Sequence, residues 1–126
     1  MTKPLPPGIS LEQFNSAISE MEKVVGKAFV FIDDVNELRS YRDPYNTTND
    51  ADFAPSAAVA PHNVEQIQKI LAIVNQYKIP VWTISTGKNF AYGGPAPRKP
   101  GYIVLDLKLM NKILEVNEKH GYAIVE

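Results

Sequence analysis

Two apolar strands flanking a capped amphipathic helix, the second strand opening directly into a glycine-rich loop, restrict this chain more than any other feature. Ala57-Ala58-Val59-Ala60 is small and apolar, as a buried strand must be, and Pro61-His62-Asn63 ends it. Asn63 with Gln66 then caps a helix whose inner face is expected at Ile67, Ile70, Leu71 and Val74 and which ends near Tyr77 to Ile79. Pro80 leads into a second strand, Val81 to Ile84. The right-handed crossover rule makes these two strands parallel members of one sheet. The segment after Ile84 therefore lies at the carboxyl end of a parallel strand, where open α/β sheets place their ligands.

That segment is Ser85-Thr86-Gly87-Lys88-Asn89-Phe90-Ala91-Tyr92-Gly93-Gly94, then Pro95-Ala96-Pro97-Arg98. It is not a Walker loop: Gly87-Lys88 is followed by Asn89 in place of Ser or Thr, and Trp82 stands where the first glycine is required. Nor does a G-x-G-x-x-G pattern open a helix, so it is not a dinucleotide fingerprint of the doubly wound type. Two readings stay open on the residues alone. Consecutive N–H groups from Ser85 to Asn89, the Ser85 and Thr86 hydroxyls and the Lys88 ammonium can form an anion-binding nest, with glycine permitting close approach. Alternatively, Gly and Pro simply build a long surface loop.

The rest of the chain supplies framework. Ser10 and Gln13 form a capping box for a helix with Leu11, Phe14, Ile18, Met21 and Val25 on one stripe, stopped by Gly26. Ala28 to Ile32 predicts a short strand, and Asp33-Asp34 can cap a brief helix from Val35 to Tyr41. Residues 42–55 are polar and turn-prone, an arm lying on something else. Tyr102 to Leu107, Lys112 to Val116 and Tyr122 to Val125 are three further strands, the last two a hairpin around Glu118-Lys119-His120-Gly121. Phe29, Phe31, Phe53 and Trp82 are expected in the core, and Asp106 is expected to cap a turn near the loop.

Composition narrows the function classes. The chain has 126 residues, 44% hydrophobic and 21% charged, which fits one folded domain. Thirteen basic and fourteen acidic residues are intermixed for a net charge of -1, so neither nucleic acid nor a membrane surface is an expected partner. Without cysteine there is no disulfide, thiolate metal site or cysteine nucleophile. His62 and His120 have no ligand-like spacing with the aspartates, so no metal is expected. Asn46-Thr47-Thr48 matches a glycosylation acceptor, but the opening Met1 to Gly8 lacks the apolar stretch of a signal peptide and a cytoplasmic location is expected.

Three stretches carry a resemblance: Ala57 to Gln68; Ile79-Pro80-Val81-Trp82-Thr83-Ile84 continuing through the loop to Gly94; and Leu109-Met110-Asn111-Lys112-Ile113-Leu114-Glu115-Val116-Asn117. In this order they resemble the amino-terminal FAD-binding part of the vanillyl-alcohol oxidase and p-cresol methylhydroxylase flavoprotein family, especially its 4-phenol oxidases such as eugenol oxidase. The similarity runs from Leu5-Pro6-Pro7 to Glu126.

The resemblance implies an α+β fold containing an α/β subdomain, the amino-terminal portion of a PCMH-type FAD-binding domain, with mixed parallel and antiparallel strands flanked by helices. Residues 1–55 would be a helix, a short strand and an arm, and residues 56–126 the first part of the FAD-binding domain. It assigns Ser85, Thr86, Gly87, Lys88, Asn89 and Phe90 to the FAD diphosphate, and Gly93 and Gly94 to the flavin's side. Tyr92 matches a tyrosine that hydrogen-bonds the phenolic oxygen of a para-substituted phenol while hydride leaves the benzylic carbon for flavin N5, giving a quinone methide. Two positions depart from the pattern. Ala91 stands where relatives often have glycine, and Tyr45 where a histidine assists covalent flavin attachment.

The resemblance places the flavin-bonding residue, the remaining phenolate-binding residues and the substrate cap beyond Glu126, so the remainder of the flavoprotein polypeptide is an expected partner. A homodimer and a cytochrome subunit are the other partners it implies. The contrasting expectation is a noncatalytic FAD- or nucleotide-binding module that docks onto a complementary flavoprotein fragment.

Overall fold

The computed structural model describes residues 4–33, 36–43, 45–46, 50–88 and 94–126, without the side chains of Asp50 and Ala51. Helix α1, Leu11–Val25, begins at the expected capping box: Ser10 Oγ accepts the Gln13 N–H at 3.2 Å, and Gln13 Oε1 accepts the Ser10 N–H at 3.0 Å. Gly26 ends it at φ 92°, its N–H donating to the Glu22 carbonyl. Helix α2, Val64–Tyr77, starts at Asn63, whose side chain accepts the Gln66 N–H at 2.9 Å. The remaining elements are strands β1 (Val30–Phe31), β2 (Ala57–Val59), β3 (Val81–Ile84), β4 (Ile103–Asp106), β5 (Ile113–Asn117) and β6 (Tyr122–Val125), with 3-10 turns at Lys27–Phe29, Leu38–Tyr41 and Asp50–Phe53.

Strands β1 to β4 form a mixed sheet in the order β1-β2-β4-β3. The edge strand β1 is antiparallel to β2, whereas β2 and β3 are both parallel to β4. The strand, helix, strand unit is thus parallel as expected, but its two strands are not neighbours: β4, the latest of the four in sequence, lies between them. Central placement explains why Ile103-Val104-Leu105-Asp106 is buried throughout, since a parallel strand inside a sheet has both faces covered.

The sheet's two faces follow the period of two. One carries Val30, Ala57, Val59, Ile103 and Leu105 against α1 and α2. On the other, Ala58, Ile84 and Val104 meet Leu38 and Tyr41 of the 3-10 turn, with Phe31 and Trp82 partly buried at the margin. The helices are tied to each other by polar bonds at the rim. Tyr77 Oη donates to Glu20 at 2.7 Å, and Gln66 Nε2 donates to the Val24 carbonyl at 3.2 Å.

Several local expectations are corrected. On α1 the buried stripe is Phe14, Ala17, Ile18, Met21 and Val25, and Leu11, at the first turn, faces solvent. On α2 the stripe is Ile70, Ile73 and Val74 with Ile67 beside it, while Leu71 is 40% exposed. Six apolar residues in the eight positions from Ile67 to Val74 make an arc wider than the sheet can cover, and Leu71 falls at its margin. The expected strand from Ala28 to Ile32 keeps only two paired residues. The expected helix from Val35 to Tyr41 is a short 3-10 turn, Leu38–Tyr41, whose N-cap is Glu37 with no side-chain cap bond; Asp33 accepts the Asn36 N–H at 3.3 Å ahead of the turn without capping it, and Asp34 and Val35 lie outside the described residues. Phe29, Phe31, Phe53 and Trp82 are half-buried, not core.

The hairpin appears as expected, β5 antiparallel to β6 in a sheet of its own. His120 sits in its turn, with its N–H donating to Asn117 Oδ1 at 3.0 Å. Ile113, Val116 and Val125 remain at least 60% exposed there.

Candidate functional site

β3 and β4 end side by side. Ile84 and Asp106 are register partners, and the Leu107 N–H donates to the Ile84 carbonyl at 3.0 Å. Both strands are parallel, so their carboxyl ends leave the sheet together and the chain beyond β3 starts over that edge. Ser85, Thr86 and Lys88 are exposed there. Among the described residues, no hydrogen bond or ion pair engages the two hydroxyls or the ammonium.

Gly87 supplies the turn. Its φ is 68°, a region that side-chain-bearing residues enter at a cost, and a Cβ built on it would lie 2.7 Å from Pro95 Cβ and 3.5 Å from Ile84 Cδ1. The outgoing and returning limbs of the loop therefore close on each other at Gly87 and Pro95, behind the exposed groups. Pro95, Ala96 and Pro97 are buried, and Arg98 carries its guanidinium 5.9 Å from the Trp82 ring centroid. This is a rigid floor under a free polar rim. Two exposed hydroxyls and a cation on a turn that Gly87 permits are groups of the kind that fit the diphosphate of a dinucleotide.

Of the residues singled out from the sequence, Ser85, Thr86, Gly87, Lys88 and Gly94 are brought to this edge. Asn89, Phe90, Ala91, Tyr92 and Gly93 lie outside the described residues. Tyr45 is 70% exposed on the arm, its N–H held by Asp43 Oδ1 at 2.9 Å. The same Asp43 oxygen is 4.0 Å from where a Gly94 Cβ would stand, so the arm borders the loop's returning limb.

Sequence reasoning missed the cluster under this edge. Asp106, 3% exposed, accepts from the Lys108 N–H at 3.0 Å through Oδ1, which is the expected turn cap. Its Oδ2 accepts from Tyr41 Oη at 2.7 Å and pairs with Lys108 Nζ at 3.1 Å. Lys108 Nζ also donates to Tyr41 Oη at 3.1 Å and lies 4.6 Å from the Phe31 ring centroid. Burial, then the hydrogen bond to the Asp106 carboxylate, pushes the Tyr41 hydroxyl's ionisation well above its ordinary range. A signal was present in the sequence: a carboxylate closing an otherwise apolar strand needs donors, and a buried tyrosine needs an acceptor.

Among the described residues no group of three or more His, Cys, Asp or Glu side chains could hold a metal ion, and no helix is long and apolar enough to cross a membrane.

Residues 55–126 match the FAD binding domain family. The chain is 42% identical over 122 residues to the flavoprotein subunit of 4-cresol dehydrogenase (hydroxylating) from Pseudomonas putida, covering 97% of this chain and 23% of that protein. It is 34% identical to a glycolate oxidase subunit of Bacillus subtilis over 65% of this chain and 17% of that protein. A crystal structure of p-cresol methylhydroxylase with substrate bound superposes with a TM-score of 0.92 at 42% identity, over 97% of this chain and 24% of that one. The isoeugenol complex of 4-ethylphenol oxidase from Gulosibacter chungangensis gives 0.91 at 41% identity, over 98% and 24%. The chain thus spans about a quarter of the length of these phenol-oxidising relatives. A glycine-containing turn at the strand end, a mixed sheet backed by two helices and these matches agree: the chain belongs to the FAD-binding domain family, in its p-cresol methylhydroxylase type, and FAD is its cofactor.

Proposed function

We propose that this chain is the amino-terminal FAD-binding part of an oxidoreductase acting on para-substituted phenols. The observation that carries the reading is the placement of Ser85, Thr86, Gly87 and Lys88 at the carboxyl ends of β3 and β4, within a chain 42% identical to a 4-cresol dehydrogenase subunit. Residues 1–55 serve as the helix, strand and arm that brace the site, and residues 56–126 as the first part of the cofactor domain.

In this reading the N–H groups and hydroxyls from Ser85 to Phe90 bind the diphosphate, Lys88 offsets its charge, and Gly93 and Gly94 leave room beside the flavin. FAD supplies the two-electron acceptor for a hydride leaving the benzylic carbon. The chain's own contribution to that step is Tyr92. Its hydroxyl donates to the phenolic oxygen of the substrate and holds it as phenolate. Electron density pushed to the para carbon then weakens the benzylic C–H bond, and a donor already aimed at the oxygen lowers the barrier without reorganising. The substrate's remaining walls, a homodimer partner and the final acceptor, oxygen or a cytochrome subunit, belong to the rest of the assembly. A cytoplasmic location is part of the proposal.

The test is made on the full-length polypeptide. Tyr92→Phe is expected to retain FAD with an unchanged visible spectrum while kcat for a 4-alkylphenol falls by about 100-fold. Retained wild-type kinetics across the phenol's ionisation range would remove Tyr92 from this role. A full-length protein that takes up FAD but oxidises no 4-alkylphenol would instead favour a noncatalytic or differently specific flavoprotein.

A further inference from the structure

We infer that Asp106 is a positioning residue for the FAD diphosphate loop, acting through Tyr41 and Lys108 to fix both limbs of that loop from beneath. The inference rests on the reading of Ser85 to Lys88 as part of the diphosphate site.

The geometry links one carboxylate to the two ends of the loop. On the outgoing side, Asp106 is the register partner of Ile84, the residue immediately before Ser85, and the backbone bond from the Leu107 N–H to the Ile84 carbonyl fixes that pairing. On the returning side the connection runs through the arm. Asp106 Oδ2 holds Tyr41 Oη at 2.7 Å, and Tyr41 closes the 3-10 turn Leu38–Tyr41. Two residues on, Asp43 borders Gly94. A bond from a buried carboxylate to a buried tyrosine, beside the packing of Leu38 and Tyr41 on Ala58, Ile84 and Val104, ties this stretch of the arm to the sheet. Tyr41 is 4% exposed and Asp106 3%.

Lys108 completes the device. Its ammonium meets both Asp106 Oδ2 and Tyr41 Oη at 3.1 Å, and without it the carboxylate would sit unneutralised at an edge that also receives a dianionic diphosphate. Committing Lys108 to Asp106 leaves Lys88, which is exposed and unpaired among the described residues, as the cation offered to the ligand. Buried charged hydrogen bonds of this kind are stiff, because breaking one strands a desolvated charge. The loop's two described ends, Ser85 to Lys88 and Gly94, are thereby held in place before the ligand arrives, which lowers the ordering cost of binding.

The experiment compares variants of the full-length polypeptide by FAD dissociation constant, visible flavin spectrum and thermal midpoint. Asp106→Asn and Tyr41→Phe are each expected to weaken FAD binding by about tenfold or more and to alter the flavin spectrum. The double variant should be little worse than either single, because both break one chain of contacts. Tyr77→Phe, which removes the Tyr77 to Glu20 bond between the helices, should leave the FAD constant unchanged at any matched loss of thermal midpoint. Tyr41→Phe keeps the ring in place and carries the test if Asp106→Asn does not fold.

Wild-type FAD constants in Tyr41→Phe, additive losses in the double variant, or an equal loss in Tyr77→Phe would each overturn the positioning role. Gly87→Val separates the diphosphate site from the support beneath it. If it abolishes FAD binding while Tyr41→Phe does not, the diphosphate site stands and the role of Asp106 falls; if both leave binding intact, the site assignment falls with it.

Discussion

Gly87 and Pro95 meet back to back across the base of the loop that follows β3, so closely that a methyl group on the glycine would stand 2.7 Å from Pro95 Cβ. That contact, with a φ of 68°, admits no other residue without displacing one limb. Gly87→Val should therefore cost about 1–3 kcal/mol of stability and loosen FAD binding. Denaturant unfolding and FAD titration of the full-length protein measure the two effects separately.

Tyr41 gives the molecule an alkaline signature. The folded state raises its ionisation above the ordinary value of 10.0, first by burial and then by the bond to Asp106. Linkage sets the sign: the stability this group contributes is complete below pH 10, and is lost as pH climbs from there toward the higher folded-state ionisation. Tyr77 is shifted the same way by Glu20 and adds to the slope. Ultraviolet difference titration should show Tyr41 ionising only as the protein unfolds, and Tyr41→Phe should flatten the decline of thermal midpoint above pH 10.

Gly101 is the second glycine that cannot be replaced. At φ 83° it lies beneath the amino-terminal arm, where a Cβ would run into the Leu5 carbonyl, while its N–H donates to the Ala54 carbonyl at 2.9 Å. Both obstacles are backbone, so neither side can yield cheaply. Gly101→Ala is expected to lower stability by about 1–3 kcal/mol, and circular dichroism melting would show it.

Ile73 and Leu71 separate the observed α2 stripe from the one the sequence suggests. Ile73 is 7% exposed and should cost about 2–4 kcal/mol on truncation to Ala. Leu71, 40% exposed, should cost under about 1 kcal/mol. Equal effects in denaturant unfolding would contradict the packing described.

The same helix shows how far the sequence could be read. Caps were legible because they are local: Ser10 with Gln13 and Asn63 with Gln66 lie three residues apart and form as expected. The parallel direction of β2 and β3 was legible too, since chain handedness dictates it. That β4 would separate them was not, because no local pattern records a pairing such as Ala58 with Val104. Leu71 was misplaced because apolar residues on both flanks of Ile70 leave the rotation of the helix to the sheet it packs on. Half of Asp106 was legible, the Oδ1 cap two residues away. The other half, Oδ2 with a tyrosine 65 positions earlier, is a fact of topology. The residue types of the loop left an anion nest and a plain surface loop both open, and only the resemblance assigned it to FAD.

The position of β4 also governs the order in which the molecule can be made. A ribosome delivers β2, α2, β3 and the entire loop before the first residue of β4, so until then β3 has no neighbour to pair with and Asp106 does not exist to receive Tyr41. When β4 arrives it inserts between two strands already synthesised, and the sheet closes around it. Closure of the four-stranded sheet is consequently a late step, timed by the emergence of its central strand.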